Sequence, residues 1–278
     1  MQAVSGRSGP VAIAVAPSGG RRTKADHPAL PITSDELARV AAVSLEAGAA
    51  MIHVHVRDRN GRHLLDAQAY RAAATAIRAQ VGERLVVQIT SEALGIYRPE
   101  QQMRVVLEAR PEAVSLALRE FVPDQTHEAG FASFLETLRR RKVVPQIILY
   151  STEEASYLAT LARRGMIPFD NQPVLYVLGR HTVGQTSAPA DLLPFLALGP
   201  VAPSHWMVCA FGSQETACVT TAALLGGHCR VGFENNLFLP GGALASGNGD
   251  LIAATRRALE ACGLAVADAD ALRSQWAA

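Results

Sequence analysis

Short runs of aliphatic and β-branched residues alternate along this chain with longer stretches in which apolar residues recur every three or four positions. The short runs predict strands at Val11 to Ala16, Met51 to His55, Leu85 to Ile89, Ala113 to Ala117, Val144 to Leu149, Val174 to Leu178, Trp206 to Ala210 and Cys229 to Phe233. The stretches between them predict helices at Ser34 to Glu46, Ala67 to Gln80, Pro99 to Glu108, Glu128 to Arg141 and Thr152 to Arg164, then at Ala190 to Leu196, Gln214 to Leu225 and Asn248 to Cys262. Thr33 or Ser34 is placed to cap the first of these. The strands are apolar nearly throughout, as in a parallel sheet covered on both faces. Eight of them alternating with eight helices predict an α/β fold, a (β/α)8 TIM barrel spanning residues 1–278 as one domain. A doubly wound open sheet accounts for the same alternation, but no GxGxxG follows the first strand. In a barrel the chemistry sits at the C-terminal ends of the strands, so polar residues there become the candidates.

Composition narrows the classes. With 49% hydrophobic residues, 18% charged and a formal net charge of +1, the 278 residues can bury a large core and carry no polyelectrolyte surface, which argues against a nucleic-acid partner. No apolar run reaches the roughly 18 residues that span a bilayer, and the opening MQAVSGRSGP lacks a charged-then-apolar leader pattern. The expectation is a cytoplasmic protein with no membrane partner. The four cysteines, Cys209, Cys218, Cys229 and Cys262, form no CxxC pair and are read as mostly buried small apolar residues rather than disulfides or zinc ligands.

His53 and His55 in AAMIHVHVRD stand two apart at the end of an apolar strand, where the strand period turns both imidazoles to one side, close enough to grip one divalent cation. Otherwise they are satisfied by neighbouring carbonyls or carboxylates. Glu234, in RVGFENN directly after the eighth strand, can supply a carboxylate to the same centre, because strands one, two and eight are close neighbours in a closed barrel. It can equally form a rim salt bridge with Arg230. Two imidazoles and one carboxylate suit zinc, with a position left open for water or substrate. Immediately beyond the histidines, Asp58 is placed to hold a ligand histidine and Arg57 to pair with a carboxylate, unless both are merely solvated. The loop Pro17-Ser18-Gly19-Gly20-Arg21-Arg22-Thr23-Lys24 combines small residues with three cations, which favours an anionic ligand, although its spacing is not that of a P-loop. Arg230, in the last apolar strand, must be paired or face a wet cavity. Thr90, Ser91 and Ser115, at or near the ends of strands three and four, either donate to a ligand in the mouth or cap the next turn.

Together, the segments APSGGRRTKADHPALPIT, EAGAAMIHVHVRD and LLGGHCRVGFENNLFLPGGALASGNGDLI resemble the β-keto acid cleavage enzymes, whose best-described branch is the 3-keto-5-aminohexanoate cleavage enzyme of lysine fermentation. The likeness runs in order from about Val11 to the C-terminal helix. It is strongest in the HVH and GGHxRVGFE strands and weaker in the central third, including the REF and ILYS segments. The resemblance implies a Zn2+-dependent barrel, commonly a homotetramer, in which a small-molecule β-keto acid reacts with acetyl-CoA to give acetoacetate and a new acyl-CoA. Motif by motif, the metal ligands fall on His53, His55 and Glu234, the active-site arginine on Arg230, and the hydroxyls that contact substrate on Thr90 and Ser115. In the implied chemistry zinc polarises the ketone while Arg230 holds the substrate carboxylate. A substrate carbanion attacks the thioester, and a retro-Claisen step releases acetoacetate.

Several positions depart from that branch. Asn235 stands where it has an aspartate that handles protons, Arg21 where a glutamate meets the substrate's amino group, and Gln146 where strand five carries a glutamate. Phe211-Gly212-Ser213 replaces a G-x-G-R segment, and Ser91-Glu92-Ala93 replaces a small Thr-Gly-Gly. Arg21, Gln146, Ser91 and Glu92 are therefore the positions expected to meet the variable part of the substrate. The acids lost and the cation gained predict a neutral or anionic side chain there. An amide at Asn235 cannot serve as a base, so the proton must pass to a metal-bound hydroxide or to Glu92. Two other classes fit parts of the pattern: a metal-dependent hydrolase of the amidohydrolase type, to which His181 would contribute, and a zinc-binding barrel that senses a keto acid or acyl-CoA without turnover.

Overall fold

All eight predicted runs pair in parallel. The computed structural model describes residues 9–197 and 205–277; most of the N-terminal stretch read above for a leader pattern lies outside them. Its strands β1 (Ile13–Val15), β2 (Met51–Val54), β3 (Val86–Thr90), β4 (Ala113–Ala117), β5 (Val144–Leu149), β6 (Val174–Leu178), β7 (Trp206–Ala210) and β8 (His228–Val231) form one closed barrel. Ala14 of β1 sits beside Met51 of β2 on one side and beside Arg230 of β8 on the other, which closes the ring. With helices around it this is a (β/α)8 TIM barrel, and closure excludes the open doubly wound sheet.

Side chains along each strand alternate between two environments. On β2, Ile52 and Val54 enter the apolar layer beneath the helices, shared with Leu37, Ile77, Leu135 and Leu251, whereas Met51 belongs to the lumen with Ala14, Val86 and Leu175. His53 follows Met51 into the lumen by the same period. Slipping the register by one residue would put Val54 in its place, at the cost of exposing the buried face of the whole strand. The first helix, Ser34–Ala47, shows how local chemistry sets an element's start: Thr33 Oγ1 accepts from Glu36 N at 3.2 Å, and the Glu36 carboxylate accepts in return from Thr33 N at 3.0 Å.

The structure departs from the predicted elements at a few places. The helix expected over 190–196 is a 3-10 turn, Pro189–Leu192, followed by a short helix, Leu193–Leu196. Pro194 has no N–H to continue a ladder and is tolerated in the first turn of a new one. The eighth strand ends at Val231 rather than Phe233, because Gly232 turns at φ 135 and brings Glu234 N onto Ala16 O at 3.0 Å. Beyond the expected elements lie a two-stranded ribbon, Val56–Arg57 against His63–Leu64, and a last helix, Ala269–Ala277. Cys209, Cys218 and Cys229 are buried, as expected of most of the four, and Cys262 is exposed. Among the described residues no helix is long and apolar enough to cross a membrane.

Candidate active site

The two histidines leave β2 side by side. His53 is paired in register with Gln88 of β3, and its Nδ1 lies 2.8 Å from Gln88 Oε1. An amide oxygen only accepts, so Nδ1 carries the proton and Nε2 presents a lone pair. Gln88 is itself held, since its amide donates to Gln146 Oε1 at 3.1 Å across the lumen. Burial, with the charge of Arg230 adding to it, pushes the His53 imidazole down to about 3, which keeps the ring neutral. His55 Nε2 stands 3.2 Å from His53 Nε2.

Glu234 completes the group. Its Oε1 accepts from Arg230 Nη2 at 3.0 Å, while Oε2 is buried without a hydrogen-bond partner, 3.4 Å from His55 Nε2 and 3.8 Å from His53 Nε2. Of the two readings the sequence left open, the salt bridge with Arg230 is present through Oε1, while Oε2 faces the two imidazoles. Burial alone would raise this carboxyl, but Arg230 and then His55 hold it well below the ordinary carboxylate range. The three ligand atoms lie within 4.8 Å of one another. Lone pairs converging in this way, with a carboxylate oxygen left orphaned, fit a cation between them, and the N2O donor set fits zinc. His55, His63 and Glu92 form a second such grouping. It would use His55 Nδ1, the nitrogen that keeps the proton when Nε2 is the ligand, so the first group is the better cation holder.

Backbone devices fix this geometry. Gly19, at φ 64 in the loop after β1, lies so close to Glu234 that a Cβ there would sit 2.6 Å from Glu234 Cγ, and one on Gly20 would sit 2.7 Å from Glu92 Oε2. Asn248 ties the loops after β1 and β8 together, accepting from Phe233 N at 2.9 Å and donating to Pro17 O at 3.1 Å. Asn235 accepts from Arg230 Nη2 at 3.2 Å and faces Glu215 Oε1 at 3.4 Å. Burial pushes Glu215 up to about 8, although Asn236, Gly232 and Asn235 all donate to it.

A narrow pocket opens above the histidines. His53, His55, Thr90, Glu92, Ser115, Arg230 and Glu234, all foreseen, line it together with Tyr150, Arg180 and Phe211, which were not. Thr90 Oγ1 accepts from Glu92 N at 3.0 Å, and Ser115 Oγ is buried with no partner. Other expected residues sit elsewhere. Ser91 Oγ donates to Ser115 O at 2.6 Å, Gln146 lies in the lumen against Gln88 and Met207, Arg21 is exposed, and none of the three is among the residues lining this pocket.

Arg57 and Asp58 take different roles from those expected. The Arg57 guanidinium donates to the carbonyls of Gly19, Arg22 and Gly61, bracing the first loop, and Asp58 accepts from Asn60 N, Arg62 N and Arg62 Nε within its own turn. The histidine-holding task falls to Gln88 instead. His181 lies against Arg119 Nη1 at 3.1 Å and belongs to neither metal-capable group.

A family model described as beta-keto acid cleavage enzyme matches residues 10–276. The chain is 30% identical to the 3-keto-5-aminohexanoate cleavage enzyme of Fusobacterium nucleatum over 268 residues, covering 94% of this chain and 95% of the relative. It is 26% identical to the 3-oxoadipate:acetyl-CoA acetyltransferase of Cupriavidus necator, covering 93% and 91%. Among solved structures, the apo structure of ObcA superposes with a TM-score of 0.73 at 17% identity, over 90% of this chain and 66% of that one, a likeness of fold alone.

Proposed function

This chain belongs to the beta-keto acid cleavage enzyme family, and from that premise we propose that it catalyses a zinc-dependent acyl exchange in which a β-keto acid and acetyl-CoA become acetoacetate and an acyl-CoA. The observation that carries the proposal is the convergence of His53 Nε2, His55 Nε2 and Glu234 Oε2 beside the Arg230 guanidinium. A zinc ion held by these three residues supplies Lewis acidity, lowering the cost of negative charge on a nearby ketone oxygen.

The chain's own groups do the rest. Arg230 receives the substrate carboxylate: its Nη2 is steadied by Glu234 and Asn235, while its Nε is buried without a protein partner. Ser115 Oγ, equally unpartnered, and Thr90 orient the keto acid above the histidines. Of the two carboxylates lining the pocket, Glu234 is taken up by Arg230, so Glu92 accepts the proton that leaves the carbon between ketone and carboxylate. The carbanion attacks the thioester carbonyl and expels CoA thiolate, which adds to the ketone carbon. Cleavage of the old carbon–carbon bond gives the acyl-CoA and an acetoacetate carbanion that takes the proton back from Glu92. Asn235, an amide, takes up no proton from the substrate and serves to position Arg230. The relative from Cupriavidus necator is named for acetyl-CoA, which supports that co-substrate.

The test is a coupled assay on zinc-loaded protein with acetyl-CoA and β-keto acids bearing cationic, neutral and anionic side chains. Acetoacetate and a new CoA ester are expected from one charge class. Zinc bound at full occupancy with no ester from any class would overturn the proposal and leave a barrel that binds keto acids without turnover.

A further inference from the structure

The pocket holds one charged group that neither the metal-capable site nor the proposed chemistry uses. Arg180 follows β6 by two residues, reaches into the pocket with a side chain only 16% exposed, and lies with its Cζ 5.0 Å from the centre of the Phe211 ring. Its nearest carboxylate, Glu92 Oε1, is 3.8 Å from Nη2, beyond hydrogen-bond reach. The guanidinium thus sits over an aromatic face, and no described protein acceptor comes within hydrogen-bond reach of its donors. That arrangement is pre-organised for a planar anion.

Charge balance points the same way. Arg230 and Arg180 offset Glu234 and Glu92 among the lining residues, so a divalent cation at His53, His55 and Glu234 leaves two positive charges unmatched. The carboxylate of a β-keto acid cancels one of them. Arg22, half-buried in the loop after β1 with Nη1 buried and unpartnered, adds further positive potential beside Glu234 and Arg180. Between the charged groups the wall is apolar, built from Ala117, Ile148 and Val177, and suits a short methylene chain.

We propose that this site takes a short β-keto acid carrying a second, terminal carboxylate, and that Arg180 is the residue that receives it. The inference rests on the acyl-exchange reading for its β-keto acid and on Arg180 for its charge class. Arg21, the cation to which the sequence assigned this choice, is exposed and outside the lining, so selection passes to the loop after β6.

Two readouts separate the inference from that reading. Calorimetry on the zinc-loaded chain compares a saturated short-chain dicarboxylate with the monocarboxylate of equal length, and needs no turnover. The expected preference is on the order of ten- to hundredfold for the dicarboxylate, the value of one charge-assisted bidentate pair. Arg180→Ala should bring the ratio close to one, and Arg180→Lys, which keeps the charge but loses the fork, should leave it in between. In the turnover assay the same ratio is read as kcat/KM for dicarboxylic against uncharged β-keto acids. Equal binding of the two acids by the unmodified chain, or a ratio unmoved in a folded Arg180→Ala variant, overturns the inference. An ester formed only from uncharged acids also overturns it while sustaining acyl exchange, whereas dicarboxylate-selective binding with no ester from any acid sinks the exchange reading and sustains the role of Arg180.

Discussion

The floor and the mouth of the barrel lumen are built on the same strands. At the floor, Ala12, Met51, Val86, Ala113 and Leu175 fill the interior with apolar atoms. Two or so residues further along those strands the lumen is lined by His53, Gln88, Thr90, Ser115 and, from β8, Arg230, all buried. The floor repays burial by itself, through packing. The mouth does so only in part: Ser115 Oγ, Glu234 Oε2 and Arg230 Nε have no protein partner, and each orphaned group marks where a ligand would finish the structure. Between the two layers runs a relay of amides, from His53 through Gln88 to Gln146 and on to the Met207 sulfur, which separates the dry half from the wet one.

The largest effect should come from the mouth. His53→Ala is expected to remove zinc and activity together, with the turnover rate falling by about a thousandfold, the scale of several kcal/mol of lost charge stabilisation. Metal analysis beside the acetoacetate assay checks this, and full activity in carefully demetallated protein would break the contrast. Leu175→Ala probes the floor: it should cost about 2–5 kcal/mol of stability by opening a cavity, yet leave zinc bound. If zinc affinity fell in step with stability in urea titrations, floor and mouth would not be separable. Gln88→Leu tests the boundary, keeping bulk but removing the acceptor of His53 Nδ1. Chelator competition should show zinc affinity down about ten- to hundredfold with the fold intact.

The smallest effect lies outside the lumen and carries a pH signature. Burial would raise the Glu36 carboxyl, but the Lys24 ammonium and the Thr33 and Ile32 amides outweigh it and bring it to about 2, from an ordinary 4.5. A carboxyl depressed in the fold stabilises above its unfolded value and loses that contribution as pH falls through 4.5 towards 2. Glu36→Gln should therefore cost about 1 kcal/mol at pH 7 and progressively less below pH 4, read from denaturant midpoints, with turnover untouched.

Much of this contrast could be read from the sequence. Short apolar runs located the strands, and the rule that barrel chemistry gathers at strand ends singled out His53, His55 and Glu234. Arg180 obeys the same rule, two residues past β6, but a loop arginine looks like many solvated ones until the stacking on Phe211 and the missing partners are seen. Gln88 was hidden for the opposite reason: it lies inside an apolar run, and only the register that pairs it with His53 gives it a task. Asp58 misled because adjacency in sequence outweighed the turn chemistry that binds it to Asn60 and Arg62. The last helix was missed because its segment, ADALRSQWA, buries only Ala269 and Leu272, which is too short an apolar stripe to stand out.

The glycine pair after β1 bears on how this mouth can change over generations. Position 19 is locked twice, by its left-handed backbone and by the Glu234 side chain a Cβ away, so substitution there would displace Glu234 before it altered any preference for substrate. Position 20 carries no such backbone demand, and its Cβ would meet a different acid, Glu92. A drift towards new substrates that leaves the cation site intact therefore has a doorway at residue 20, passable in step with residue 92, and a closed door one residue earlier.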